Sequence, residues 1–183
     1  MPATADRRFS VPLVVLTAAM LVAGLALGLL VATPGAPLTT EHRPEQSAVV
    51  PHLAVTAVVL AAAAALTLGT RSLRWAWSPL SARAGRRIAA AFRHARGSFT
   101  GALRCAAFLP LAGLMLYLVL RMGMQVTAGL DPNFTADAWG GPTALGAFAA
   151  HGVDALLGIG VCGALAHLVL PDPEDAGAAP PPR

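Results

Sequence analysis

The chain has 183 residues, of which 56% are hydrophobic and 12% are charged, and its mean hydropathy is +0.64. This composition argues against a water-soluble domain and is typical of an integral membrane protein with one domain. The formal net charge is +4, and all thirteen basic residues are Arg. This bias indicates a GC-rich genome and predicts a bacterial source.

Four segments are long and apolar enough to cross a membrane, which takes about 20 residues in a helix. We predict spans over residues 11–32, 49–68, 105–126 and 145–170. The first segment follows an Arg pair, as a signal peptide would. Its apolar run of about 20 residues exceeds the core of about 7–15 residues in a cleaved signal. The sequence therefore predicts an all-α integral membrane protein with four transmembrane helices, the first of them uncleaved.

The placement of Arg predicts the direction of these spans. The link 69–104 holds eight Arg and no acidic residue, whereas the other two links together hold a single Arg and four acidic residues. Positive residues favour the cytoplasmic side, so we expect this link and both termini in the cytoplasm, at a cell inner (plasma) membrane. Residues 1–10 then form a cytoplasmic N-terminus, and the Pro-rich residues 171–183 form a disordered cytoplasmic tail.

The Arg-rich link contains an amphipathic stretch over residues 81–96. At 100° per residue, its apolar residues share one face and most of its basic residues share the other. This pattern predicts a cytoplasmic interfacial amphipathic helix whose side chains bind anionic lipids or an acidic partner. The binding residues expected are Arg83, Arg86, Arg87 and Arg93. Nucleic acid is not expected, because no aromatic residues alternate with the Arg residues.

One acidic residue, Asp154, lies well inside the fourth predicted span. A bare carboxylate at the bilayer centre costs about 2.5–3.5 kcal/mol on insertion scales. It must therefore be paired, protonated or in contact with internal water. His151 lies one turn away, and Arg121 lies within roughly 6 Å of the same depth in the preceding span. We predict an intramembrane polar cluster of these three residues, with a direct contact between Arg121 and Asp154.

Small residues in two spans predict close packing of helices. Gly24 and Gly28 form a GxxxG pattern in the first span. In the fourth span, the small residues around the acidic group recur every four positions. They are Gly146, Ala150, Gly158 and Cys162. These two stripes are predicted to be helix-packing surfaces, either within the chain or against another protein.

A metal or haem site is an alternative for residues expected near the outer ends of the spans. The candidate ligands are His52, His151, Met122 and Met124. Imidazole and thioether groups suit copper, and imidazole suits haem iron. Their spacing matches no established ligand pattern, and the two cysteines form no CxxC pair. We therefore expect no cofactor, with haem or copper as the alternative.

The chain lacks the GxSxG, HExxH and P-loop motifs of common enzyme classes, so we do not expect an enzyme. The leading hypothesis is an accessory or scaffold subunit that packs against a larger membrane complex through its small-residue stripes. One alternative is a small proton-coupled transporter or redox protein that uses Asp154, Arg121 and His151. Another is a sensor of anionic lipids that acts through the Arg-rich helix.

Overall fold

The computed structural model describes residues 9–41, 43 and 48–172. These residues form six α-helices and one 3₁₀ segment, with no strand beyond an isolated bridge between Phe9 and Ser81. The α-helices are α1 (Val11–Val31), α2 (Val49–Thr70), α3 (Ala82–Ala95), α4 (Phe99–Ala128), α5 (Pro132–Thr135) and α6 (Ala144–Val169), and the 3₁₀ segment is Arg74–Leu80.

Helices α1, α2, α4 and α6 are long and apolar enough to cross a membrane. The all-helical class and the four potential spans are therefore confirmed. The predicted tail 171–183 lies outside the described residues apart from Pro171 and Asp172. Of the predicted N-terminal segment 1–10, only Phe9 and Ser10 are described.

Helix α4 begins at Phe99, six residues before the predicted start of its span. The side chain of Ser98 caps this helix, because its Oγ accepts a hydrogen bond of 3.0 Å from the backbone N–H of Gly101. The predicted span begins just after Arg104 because the prediction followed hydropathy. A helix start is set by its cap instead, and an Arg near a helix end can extend toward water.

The four long helices form a row in the order α1, α4, α6 and α2. Helix α4 packs against α1 on one side and against α6 on the other, while α2 packs mainly against α6. Helices α1 and α4 run parallel, and α4 and α6 run antiparallel. This arrangement makes α4 and α6 the central pair and leaves much of α2 exposed.

Close contact between α1 and α4 depends on glycine. A Cβ on Gly24 would collide with the backbone of Leu120, and one on Gly123 would collide with the backbone of α1. A Cβ on Gly28 would meet the side chain of Thr127, whose hydroxyl donates a 2.8 Å bond to a carbonyl of α1. The GxxxG stripe of the first span therefore packs inside the chain.

The small-residue stripe of α6 is likewise covered by the chain itself. Gly146 lies against the backbone of Gly140, and a Cβ on Gly158 would collide with the side chain of Leu118 of α4. The other two members, Ala150 and Cys162, are buried, with 3% and 4% exposure. Both predicted stripes thus hold this chain together.

Residues 32–41 of the first link and residues 129–143 cover one side of the row. We call this side the link face. The two segments run side by side in the same direction because they leave the parallel neighbours α1 and α4. Asp131 accepts hydrogen bonds from the backbone N–H and the hydroxyl of Thr33, at 3.1 and 2.6 Å. Asn133 accepts bonds of 2.7 and 3.0 Å from the backbone N–H and the hydroxyl of Thr39.

The 3₁₀ segment and α3 cover the opposite side of the row. We call this side the arginine face. The chain just before α1 docks here, since the N–H of Ser10 donates a 2.8 Å bond to the carbonyl of Leu80. Ala91 of α3 packs with Phe108 of α4 and with Leu170, just after α6, in a small apolar core. The start of α1 and the end of α6 therefore lie on the same face.

Candidate functional site

A cavity of about 500 Å³ lies between α4 and α6, beneath the link face. This volume is within the usual range of small-molecule sites, about 300–1,000 Å³. Its polar lining consists of Tyr117, Arg121, Gln125, Asp137, His151 and Asp154. Its main apolar lining consists of Leu118, Met122, Met124, Phe134 and Trp139. A polar cavity in a chain with four potential membrane spans is the candidate functional site.

Helical spacing places the polar groups on two facing walls. Tyr117, Arg121 and Gln125 are four residues apart, so they share one face of α4. His151 and Asp154 are three residues apart and share one face of α6. The structure thus brings all three members of the predicted polar cluster to one cavity.

The predicted contact between Arg121 and Asp154 is replaced by two others. Among the described residues, the ion pair of Asp154 is with His52 of α2, whose Nε2 lies 3.3 Å from Oδ2 of the carboxylate. Arg121 instead lies near His151, with 3.4 Å between the guanidinium Nη2 and the imidazole Nε2. The sequence did not indicate His52 as the partner because it lies 102 residues from Asp154 in the chain. Helix α2 nevertheless packs beside α6, on the side opposite α4.

The hydrogen bonds of His52 define where protons must lie. Its Nδ1 is 2.7 Å from the carbonyl oxygen of Ala48, which can only accept a hydrogen bond, so Nδ1 carries a hydrogen. A hydrogen bond between Nε2 and the carboxyl oxygen of Asp154 then needs a second proton. That proton belongs either to an imidazolium or to a neutral carboxyl group. The His52–Asp154 pair can therefore share a proton when this hydrogen bond forms.

His151 has the opposite role in its own hydrogen bond. A guanidinium only donates, so Nε2 of His151 accepts from Arg121, and the imidazole is neutral in this arrangement. The indole ring of Trp139 lies close to both imidazoles, with ring centroids 5.9 Å from His52 and 6.1 Å from His151. The second link therefore covers the proton-holding pair.

Gln125 is a buried polar residue beside the cavity that the sequence did not single out. It is 1% exposed, and neither atom of its side-chain amide has a hydrogen-bond partner in the described residues. A buried polar group without a partner costs about 1–3 kcal/mol. The residue lies in the wall of the cavity, but its amide nitrogen and oxygen have almost no accessible surface and so do not face the open volume. No periodicity in the sequence singled out this residue from other polar residues.

The proposed metal ligands are only partly brought together. His151, Met122 and Met124 line the cavity, while His52 reaches the same region from α2. No group of three or more His, Cys, Asp or Glu side chains is placed to hold a metal ion within residues 9–41, 43 and 48–172. The geometry of these side chains therefore supplies no further argument for copper or haem.

One of the four arginines expected to bind lipid is buried instead. Arg87 is 7% exposed, and its guanidinium donates to the carbonyls of His167, at 2.7 Å, and Pro171, at 3.2 Å. It also contacts the ring of His167 and the carbonyl of Leu170. These carbonyls lie at the C-terminus of α6, where a positive charge is favourable. Arg87 therefore fastens α3 to α6 and is not available to lipid.

The other three arginines of that group are exposed on the arginine face. Arg83 forms an exposed pair with Asp172, at 3.4 Å. Arg86 and Arg93 also lie at the surface of α3. The periodicity had placed Arg87 with these residues, but it lies one turn from the buried Ala90 and Ala91 and points into the fold.

Comparisons with protein-family models, with curated proteins and with solved structures found no match to this chain. The fold and the cavity therefore carry the functional reasoning. They define an all-helical chain with four potential membrane spans and a polar cavity between the two central helices.

Proposed function

We propose that this protein is a small proton-coupled transporter that exchanges a proton for a polar solute at the cavity between α4 and α6. The observation that carries this proposal is the His52–Asp154 pair, in which the imidazole Nε2 lies 3.3 Å from the carboxyl Oδ2, close enough to share a proton. The pair adjoins a cavity of about 500 Å³, and its carboxyl group is part of the lining. Ionisable groups within membrane spans often mark proton and substrate paths.

Electrostatics couples the proton to the solute. With its proton, the pair has no net charge. Loss of the proton leaves one uncompensated negative charge among helices that cross the membrane, which is costly. A solute that brings a positive group to Asp154 offsets this charge. Proton and solute therefore compete for the same carboxylate, and by linkage each lowers the affinity for the other.

The orientation that we propose follows from the charges at the two faces. The arginine face and both termini lie in the cytoplasm of a bacterial plasma membrane, because Arg favours that side. The exposed Arg residues of α3 there meet anionic headgroups. The link face lies outside, and the cavity beneath it receives solute from that side.

Proteoliposomes with an acidic interior and an entrapped pH dye test this function. The external probes are small quaternary ammonium ions, carboxylates and amino acids, each added alone, and the response of protein-free liposomes is subtracted because neutral permeant forms also change the internal pH. We expect at least one probe class to raise the internal pH through the wild type and through Asp172→Asn, a matched control outside the cavity. Asp154→Asn should reconstitute equally well and give no response. If no probe class dissipates the gradient, the proposal is rejected.

A second candidate function, an accessory subunit of a membrane complex, is favoured by α2. None of the 22 residues of this helix is fully buried, and its main contacts are with α6. Because the small-residue stripes pack inside the chain, the partner would bind through α2. Purification in mild detergent followed by mass spectrometry tests this candidate. A membrane protein recovered at a constant ratio supports it, and recovery of the chain alone counts against it.

A further inference from the structure

We infer that the solute of the cavity is a small zwitterion with one carboxylate and one ammonium group, as in a free α-amino acid. This inference names the substrate class of the proposed transporter and rests on that function for its role in exchange. The binding site itself is argued from the lining of the cavity, where one guanidinium and two carboxylates face the same space.

The carboxylate of the solute fits at Arg121. Within the described residues, this guanidinium has one hydrogen-bond partner, the neutral imidazole of His151, and forms no ion pair with a carboxylate. Its planar fork can donate two parallel hydrogen bonds to a carboxylate. A bound carboxylate would therefore give this guanidinium the anionic partner that it lacks among the described residues.

The ammonium group of the solute fits at the acidic side of the cavity. Asp154 and Asp137 both line it. A solute with only a negative charge would bring no positive group to Asp154, and one with only a positive charge would be repelled by Arg121. Asp137 already accepts a hydrogen bond of 3.1 Å from the backbone N–H of Arg43, so Asp154 is the position assigned to the ammonium. A zwitterion of suitable length satisfies both charges, and its ammonium replaces the proton of the His52–Asp154 pair.

The remaining lining indicates what the solute carries besides its charges. Met122, Met124, Phe134 and Trp139 form an apolar wall. Apolar surface removed from water contributes roughly 25 cal/mol per Å². An amino acid with an aliphatic or aromatic side chain therefore fits this cavity better than glycine does.

Equilibrium dialysis of the purified full-length protein with L-leucine tests this assignment. The matched probes are 4-methylpentanoate, which lacks the ammonium, and 3-methylbutylamine, which lacks the carboxylate. We expect L-leucine to bind at least about tenfold more tightly than either, since each charged hydrogen-bonded group contributes that much or more. L-phenylalanine should also bind saturably, and glycine more weakly. Equal binding of L-leucine and its two matched probes, or no saturable binding of any amino acid, overturns the inference.

Variants locate the site. Arg121→Gln and Asp154→Asn should each weaken L-leucine binding about tenfold or more. Arg104→Gln, an exposed position on the same helix, should leave it unchanged. If Arg121→Gln does not fold, Arg121→Lys keeps the charge without the planar fork and should still weaken binding. Unchanged affinity in a folded Arg121 variant overturns the inference.

The same zwitterionic group occurs in the headgroup of phosphatidylserine, so a soluble short-chain phosphatidylserine is the competing probe. Weak displacement of L-leucine supports a free solute, and binding of this lipid tenfold tighter than L-leucine overturns it. Failures of the two proposals are distinct. Tight binding of L-leucine without any change in the proteoliposome gradient rejects transport but keeps the site. A protein-dependent gradient response to quaternary ammonium ions alone keeps transport and rejects the zwitterion.

Discussion

Nε2 of His52 lies 3.3 Å from Oδ2 of Asp154, and this pair joins α2, at the end of the row, to its neighbour α6. The imidazole is largely buried, with 14% of its side chain exposed, whereas 43% of the Asp154 side chain is exposed. The carbonyl of Ala48, the residue just before α2, orients the ring. One polar contact therefore both positions α2 and defines the place of a proton beside the cavity.

This pairing predicts an energetic coupling between the two residues. In a double-mutant cycle with His52→Gln and Asp154→Asn, we expect a coupling of about 1 kcal/mol in the free energy of unfolding, as for a partly exposed pair. Unfolding in detergent with increasing dodecyl sulfate measures it. The control cycle, Arg121→Gln with Asp154→Asn, should show a smaller coupling. A larger coupling in the control would restore the contact predicted from sequence.

Because glycines allow the close contact between α1 and α4, adding one methyl group there should have a large effect on the stability of the fold. Gly24→Ala and Gly123→Ala should each destabilise the fold by about 1–3 kcal/mol, because the added Cβ meets backbone that cannot move independently. Gly113→Ala is the matched control on α4, since a Cβ there has no neighbour within 4 Å. It should be neutral or slightly stabilising, because Ala favours helix. Equal thermal stability of all three variants would contradict this packing.

Because the guanidinium of Arg87 is buried, replacing this residue should destabilise the fold more than replacing an exposed Arg of α3. Arg87→Gln should lower the free energy of unfolding by about 1.5–3 kcal/mol, because charged hydrogen bonds to the C-terminus of α6 are lost. Arg93→Gln, at an exposed position, should change it by less than about 0.5 kcal/mol. Thermal unfolding in detergent compares them. A larger loss for Arg93→Gln would show that Arg87 does not fasten α6.

The hydrogen-bonded carboxylate of Asp131 on the link face predicts that the stability of the fold depends on pH. The hydroxyl of Thr33 and the backbone N–H of Asn133 donate to the carboxylate of Asp131 and hold its pKa below the ordinary value. Because the folded pKa is lower than the unfolded one, this carboxylate stabilises the fold above the unfolded pKa. That contribution is lost as the pH falls below about 4 and through the folded pKa.

Asp131→Asn tests this dependence. The variant should be less stable than the wild type at pH 6, and the difference should shrink as the pH falls from about 5 to about 3. Arg93→Gln, at an exposed position on the other face, serves as the control because neither side chain titrates in this range. A constant difference between the Asp131 variant and the wild type across this range would argue against the lowered pKa.

Several parts of the fold could be read from local sequence. Spans α1 and α2 begin at the predicted residues and end within two residues of the predicted ends, because an apolar run of sufficient length is a local property. The amphipathic helix α3 follows from its periodicity in the same way. The start of α4 was predicted six residues late because one side chain, the cap at Ser98, outweighs hydropathy there.

The candidate site was predictable only in part. Asp154, Arg121 and His151 stood out because ionisable groups inside apolar segments are costly and therefore conspicuous. His52 did not stand out as the partner of Asp154, and Gln125 did not stand out at all. Which helices are neighbours depends on surfaces far apart in the sequence, and Gln125 is buried only because α4 packs between α1 and α6.

Two properties thus followed from the sequence alone, because hydrocarbon solvates apolar side chains well and charged ones poorly. The chain forms helices able to cross a membrane, and the acidic group in the last of them needs a partner. The tertiary structure decided that the partner is His52, that Arg87 fastens α6, and that the glycine stripe of α1 packs against α4. These contacts depend on the order of helices in the row. That order is set by the fit between whole helix surfaces, which no local pattern of residues contains.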